Sequence, residues 1–390
     1  MSAKRIEFVI NNAAFFVSHR LPLAVGARQA GFEVELITGQ PGSAELEGKA
    51  AKSLRLACIP HIRTAWRSAG VNPLVELLGL FQLIFYLLRF RPALVHCASP
   101  KGVLYGGIAA RLCRVPSLVL AISGMGYAFT ETSGAGIGRK IIKKIYTVLA
   151  AFAFNHRNVH VIVQNKDDKQ GLIATGFIEE SKLTLIPGSG VDLKLYADGW
   201  EPKDKKQMVL LPARMLKDKG VLEFVQAARE VKRLEPEWRF VLAGAAGYDN
   251  PSSISESDLK HWCQDGSLEW LGHVENMVPL FKEAAVVCLP SYREGMPKAL
   301  LEAAAAGCAV ITTDVTGCRE AIEPGVSGDL VPVRDASSLA AALLSLIKDN
   351  NRRIAYGVKG RERAVARFSL DAVVAQTLHV YRGLMNEQGR

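Results

Sequence analysis

Short apolar runs alternate with helix-period segments along almost all of the 390 residues, and the alternation occurs in two successive sets. In the first set, strand-like runs fall at 4–10, 32–38, 53–59, 93–98, 117–123, 160–165 and 182–188. Helical patterns lie between them, among them 21–30, the apolar stretch 73–90 and a glycine-containing stretch at 102–114. Gly31 and Pro116 stand where helices should stop. Strands of this kind, each followed by a helix, predict a parallel sheet covered on both faces. A polar segment, YADGWEPKDKKQ (196–207), interrupts the pattern. It then resumes with runs at 208–214, 239–244, 267–272, 285–290, 309–314 and 328–333 and helices starting at Gly220 and Pro297. The expected architecture is α/β: two doubly wound Rossmann-like domains, 1–195 and 196–369, with a ligand cleft outside the carboxyl ends of their strands.

Charge separates the halves. Residues 1–195 hold 23 Lys and Arg against 12 Asp and Glu, and between 51 and 160 there are 14 basic residues against only Glu76 and Glu131. So one-sided a field predicts a polyanionic partner, and two apolar features favour an anionic membrane surface over nucleic acid. Residues 77–88 form an uncharged 12-residue run, short of the roughly 20 that a spanning helix needs. In the second feature, 138–157, Arg139, Lys140, Lys143 and Lys144 stand beside an apolar stretch, which suits a helix lying on anionic lipid. The plainer readings are a buried helix for the first and a packed helix with a solvated basic face for the second. No recognition-helix or aromatic-interleaved basic pattern points to nucleic acid.

The N-terminus, MSAKRIEFVI, is too polar for a secretory signal. The seven cysteines (58, 97, 113, 263, 288, 308 and 318) lack metal-type spacing and read as reduced thiols of a cytoplasmic protein.

The chemistry concentrates in PSYREGMPKALLEAAAAG (290–307). A buried strand ends at Pro290, a loop carries Glu294, and Pro297 suits the first turn of an alanine-rich helix holding Glu302. The backbone N–H groups of Gly295, Met296 and, past Pro297, Lys298 lie at a helix start, where a diphosphate fits. Two carboxylates beside an anion site make sense when the ligand also carries hydroxyls: Glu294 and Glu302 accept from sugar and ribose, while cations hold the phosphates. Those cations are Arg214 and Lys219 in LLPARMLKDKG (210–220).

Glu294 and Glu302 within EGMPKALLEAAAAG, preceded by ARMLKDKG and by LIPGSGVD (185–192), resemble the retaining glycosyltransferases of family 4, which have the GT-B fold. The resemblance covers nearly the whole chain and is most specific over 208–335. It implies that Glu294 contacts the donor sugar, Glu302 binds ribose, and Arg214 and Lys219 hold the diphosphate. It further implies a nucleotide-sugar donor, expected to be a UDP-sugar with its base near Gly272, His273 and Val274, no cofactor and no metal, and a last helix (370–390) that packs back on the N-terminal domain.

The first half is similar to the subgroup that extends polyprenyl-diphosphate-linked saccharides in bacterial surface-polysaccharide or glycan assembly. Its first loop, NNAAFFVSHRLPLA (11–24), departs from the usual glycine-rich form. Ser123 and Gly124 stand where many members have His-Gly. His96 either substitutes for that histidine or is packed, and His19 and Arg20 either contact acceptor or phosphate or are structural. The expected enzyme is peripheral on the inner face of the cell membrane. Competing readings are a nucleotide-sugar epimerase or hydrolase on the same plan, a GDP-sugar-dependent mannosyltransferase, and a non-enzymatic binding module.

Overall fold

The computed structural model describes residues 3–41, 44–67, 72–124, 137–198, 200–247 and 250–386. The chain divides into two compact units, residues 1–189 with 373–390, and residues 190–372.

The first unit is built on seven parallel strands: β1 (Arg5–Ile10), β2 (Glu33–Gln40), β3 (His61–Arg67), β4 (Leu94–Ala98), β5 (Ser117–Ile122), β6 (Val159–Val163) and β7 (Leu183–Leu185). Their order is β3-β2-β1-β4-β5-β6-β7, so the winding reverses between β1 and β4. Register is direct: Phe8 pairs with His96 and with Leu36. On one face, Ile6, Phe8 and Ile10 pack with Leu23, Ala24 and Leu54. The same core includes Val373, Leu378, Tyr381, Leu384 and Met385 of the Leu370–Asn386 helix. Asn158 Nδ2 donates to Leu384 O at 3.0 Å. On the other face, Val9, Ile37 and Val95 pack with Trp66, Leu83, Leu87 and Ala109. Central strands buried on both faces read as continuous apolar runs because no side faces water.

The strand expected at 53–59 is instead the end of a helix, Ala44–Leu56, and β3 follows it. Glu47, Ala50 and Leu54 are its buried residues, a three-to-four-residue period that a window starting at Ser53 misses. As an edge strand, β3 buries only Thr64 and Trp66 of HIRTAWR. It therefore carries two arginines and no apolar run.

The second unit holds β8 (Lys206–Pro212), β9 (Arg239–Ala243), β10 (Glu269–Trp270), β11 (Ala284–Leu289), β12 (Ala309–Thr313) and β13 (Gly328–Val331). All are parallel, in the order β10-β9-β8-β11-β12-β13. The winding reverses between β8 and β11. In a doubly wound sheet, the carboxyl side of such a reversal is where ligands sit.

Candidate active site

The two strands at the second reversal point feed the two loops that carry the expected chemistry. After β8 the chain turns through Arg214, which is exposed, to Lys219 and Gly220. After β11 it runs through Ser291 to Glu294 and Gly295. The loops are fastened together. Tyr292 N donates to Asp218 O at 2.9 Å. Gly220 has φ +70°, and a Cβ there would stand 2.1 Å from Pro290 O, so only glycine lets the loops approach this closely.

This brings the side chains together. Lys219 Nζ pairs with Glu294 Oε1, which also accepts from Ser291 Oγ at 2.8 Å. The Lys219 and Glu294 side chains keep 21% and 13% of their surface exposed, enough to be reached and little enough to be held. A charge-assisted pair of this kind is preorganised, and each member can be drawn to a ligand group of opposite character.

The Glu294 loop is held from behind as well. Thr312 Oγ1 donates to Leu289 O at 2.7 Å, and Thr313 Oγ1 donates to Ser291 O. Gly317 N donates to Glu294 O at 3.2 Å. A Cβ on Gly317 would lie 2.2 Å from Gly295 O, so the start of the Thr316–Ala321 helix can rest against the loop only without a side chain. Laterally, Tyr292 OH donates to Glu223 Oε1 at 2.6 Å, and the Arg334 guanidinium lies 4.7 Å from the Tyr292 ring centroid. Burial and the Glu223 carboxylate push the Tyr292 hydroxyl up to about 12, so it stays a donor at neutral pH.

The helix after the loop is Lys298–Ala305. Pro297 does not enter its first turn as expected; it takes the N-cap position with ψ 111°, and its carbonyl accepts from Leu300 N at 3.0 Å. Met296 and Pro297 are buried. Glu302 is reached by Lys298 Nζ at 3.5 Å. Desolvation raises its pKa, and Lys298 opposes that rise. Gly272 lies early in the loop after β10, and its carbonyl accepts from Gly244 N at 2.8 Å. Along the carboxyl edge of the sheet the order is therefore exposed His273 beside half-buried Val274, then Gly244, Arg214 and Glu294. Among the described residues, no group of His, Cys, Asp and Glu could hold a metal ion.

In the first unit the structure corrects two expected acceptor contacts. His96 is 1% exposed and Arg20 6%. The Tyr381 hydroxyl hydrogen-bonds His96 Nδ1 at 2.8 Å, and Phe8 lies against the imidazole at 4.9 Å. Burial, with Arg20 adding to it, holds His96 well below its ordinary pKa. It is a neutral core residue under the C-terminal helix, as a β4 side chain on that face must be. His19 stacks on Phe15 with ring centroids 4.4 Å apart. Ser123 and Gly124 end the described part of the loop after β5; residues 125–136 lie outside the described residues, as do the side chains of Arg139, Lys140 and Lys143.

Sequence reasoning missed what stands at the first sheet's reversal. Ser99 Oγ donates to Asn11 Oδ1 at 2.7 Å, and Asn11 N donates to Ser99 Oγ at 2.9 Å. Gly102 N donates to the same Asn11 oxygen at 3.2 Å. The two partners are 88 residues apart, so no local pattern announces them.

Paired doubly wound sheets, with a cation–carboxylate cluster at the second reversal, define the GT-B class of glycosyltransferase. Residues 5–156 match the family model for glycosyl transferase 4-like proteins, and residues 206–349 match the model for glycosyl transferases group 1. Both halves of the chain thus match glycosyltransferase models, and the chain is a glycosyltransferase.

A Campylobacter jejuni relative, N,N'-diacetylbacillosaminyl-diphospho-undecaprenol alpha-1,3-N-acetylgalactosaminyltransferase, is 28% identical over 90% of this chain and 91% of its own. The Escherichia coli UDP-Gal:alpha-D-GlcNAc-diphosphoundecaprenol alpha-1,3-galactosyltransferase is 27% identical over 82% and 81%. Among solved structures, Anabaena HepE in complex with UDP and glucose superposes with a TM-score of 0.74 at 17% identity, over 97% of this chain and 99% of that one. That likeness concerns the fold.

Proposed function

We propose that this glycosyltransferase moves a sugar from a UDP-sugar to a polyprenyl-diphosphate-linked saccharide, with retention of anomeric configuration and without a metal. The observation that carries the donor half is the cluster of Lys219, Glu294 and Ser291 beside Arg214 at the second sheet's reversal. The names of the two relatives support the rest: both act on undecaprenyl-diphosphate-linked sugars, and one is named for UDP-Gal.

In this reading the diphosphate lies against Arg214, Lys219 and the backbone from Gly295 to Lys298. Glu294 turns from Lys219 to the sugar hydroxyls, and Glu302 turns from Lys298 to the ribose. The bond from the anomeric carbon to the UDP oxygen breaks while the acceptor oxygen bonds to the same carbon from the same face. The acceptor proton passes to the departing phosphate. The two cations stabilise the charge growing on UDP, a contribution of roughly 10²–10³ in rate for one such donor. An acceptor of this kind places the enzyme at the cytoplasmic surface of a membrane, where nucleotide sugars are supplied.

The test is a panel of UDP-sugars and GDP-mannose with a polyprenyl-diphosphate-linked N-acetylglucosamine acceptor, scored by nucleotide release and by product anomer. Acceptor-dependent UDP release with an unchanged anomer, insensitive to EDTA and lost in Arg214→Ala, is the expected result. Equal release without acceptor would make the chain a hydrolase, and use of GDP-mannose alone would refute the donor.

A further inference from the structure

In a parallel sheet, right-handed crossovers that step in one direction place their helices on one face. The Pro73–Phe90, Pro100–Leu112 and Ile137–Phe154 helices are such a set, with the second packed between the other two. Pro73–Phe90 buries Glu76, Gly79, Leu83 and Leu87. Its opposite side exposes Leu74, Leu77, Leu78, Phe81, Phe85 and Leu88, with Leu74 at 78% and Phe85 at 65%. Ile145, Val148 and Leu149 of Ile137–Phe154 are exposed as well, and so is Leu112. On the other face of the same sheet, the described helices expose one large apolar side chain, Leu56. So many exposed large apolar side chains on one face mark an interaction site.

The charges around it are of one sign. Arg89, Arg91, Arg114, Lys144 and Arg157 are exposed. Between residues 72 and 160, Glu76 is the one acid among the described residues. It faces inward, accepting from Lys101 Nζ at 2.9 Å and Tyr105 OH at 2.7 Å.

By length and composition alone, Pro73–Phe90 is apolar enough to cross a membrane, but it is tied down. It connects β3 to β4 of one parallel sheet, Glu76 is anchored as above, and Gln82 Oε1 accepts from Ala65 N at 2.7 Å. One side must remain on protein.

We propose that this face is the surface by which the first unit lies on an anionic lipid bilayer. The Pro73–Phe90 helix runs parallel to the membrane plane, its phenylalanines and leucines enter the acyl boundary, and the five exposed cations sit at lipid phosphates. The inference deepens the lipid-linked-acceptor reading and rests on it for its purpose. It turns the carboxyl edge of β1 and β4 along the membrane rather than away from it, level with the headgroups where a lipid-borne diphosphate lies.

The experiment is flotation of the full chain with vesicles of equal phosphatidylglycerol and phosphatidylcholine, and with phosphatidylcholine alone. The wild type is expected to float with the anionic vesicles and to be released by salt. The double variant Phe81→Ser, Phe85→Ser should lower partitioning about tenfold with an unchanged unfolding temperature. Its turnover on a short-chain, water-soluble acceptor should be unchanged, while turnover on a long-chain acceptor in vesicles falls. A wild type that does not float, or a double variant that floats equally well, overturns the proposal. So does a result in which the substitutions dissolve a dimer and leave vesicle binding intact, because the face would then pair two copies. Flotation uses no substrate, so failure of the transferase reading leaves this readout standing.

Discussion

Where the second sheet reverses, between β8 and β11, two loops carry an ion pair, Lys219 with Glu294, and are pinned by backbone contacts, Tyr292 N on Asp218 O and Gly317 beneath Gly295. Where the first sheet reverses, between β1 and β4, the polar groups are neutral and close on one another as Asn11, Ser99 and the Gly102 amide. The ionisable residues nearby, Arg20 and the neutral His96, are sealed in the core under the C-terminal helix. The same order of strands across the reversal thus supports two kinds of end. One holds opposite charges ready for a ligand, and the other spends its polar atoms on shaping the loop. Substitutions at the first kind should act on rate, and those in the core of the first unit on stability.

The largest expected effect tests the charged end. Glu294→Gln keeps the Ser291 contact but removes the carboxylate, and should lower kcat by roughly 10²–10³ with little change in thermal unfolding. Equal losses in activity and stability would erase the distinction. Next is Gly317→Ala, whose methyl must displace the Gly295 carbonyl. A loop shifted by about 1 Å should cost on the order of 10² in kcat/KM, read alongside circular dichroism that shows a retained fold.

The core of the first unit supplies the converse. Glu7 is fully buried, and burial, with Glu35 beside it, pushes its pKa up to about 9. Because the folded value lies above the unfolded one, its contribution is complete below about pH 4.5 and is lost progressively as pH rises through about 9. Glu7→Gln, neutral throughout, should flatten that decline and raise stability at pH 8 relative to the wild type, measured by denaturant unfolding across pH. The smallest effect is that of Tyr381→Phe, which leaves His96 Nδ1 without its partner. It should cost about 1 kcal/mol and leave turnover unchanged. A fall in kcat there would return His96 to the acceptor site.

How legible each part was follows from what forms it. β1, β4, β5 and β11 are apolar runs because water reaches neither face, and such runs stand out in a linear sequence. β3 carries Arg63 and Arg67 because it is an edge, and the Ala44–Leu56 helix hides its stripe behind a buried Glu47. In the site, Arg214, Lys219, Glu294 and Glu302 lie within short motifs whose spacing can be read directly. The support for Glu294 cannot be read that way. Tyr292 with Glu223 and Arg334, Thr313 with Ser291, and Gly317 with Gly295 meet only when separate strands end side by side. The Lys298–Glu302 pairing is a four-residue helical spacing and was open to view. His96 was ambiguous because a strand-end histidine reads alike whether it faces solvent or a helix supplied 285 residues later.

That late helix has a consequence for synthesis. The core of the first unit is encoded in two pieces, residues 1–189 and 373–390, whereas the second unit is continuous from 190 to 372. As the chain leaves the ribosome, the strands of the first sheet emerge early, but the face bearing Phe8 and His96 is covered only in part, by residues such as Phe16, Leu23 and Leu54, until Val373–Met385 appears. The second unit has by then been fully translated, so vectorial synthesis lets the later-encoded unit mature first. A chain halted before Val373 would leave the ribosome with the part of that apolar face around His96 open to water, a substrate for chaperones and proteases.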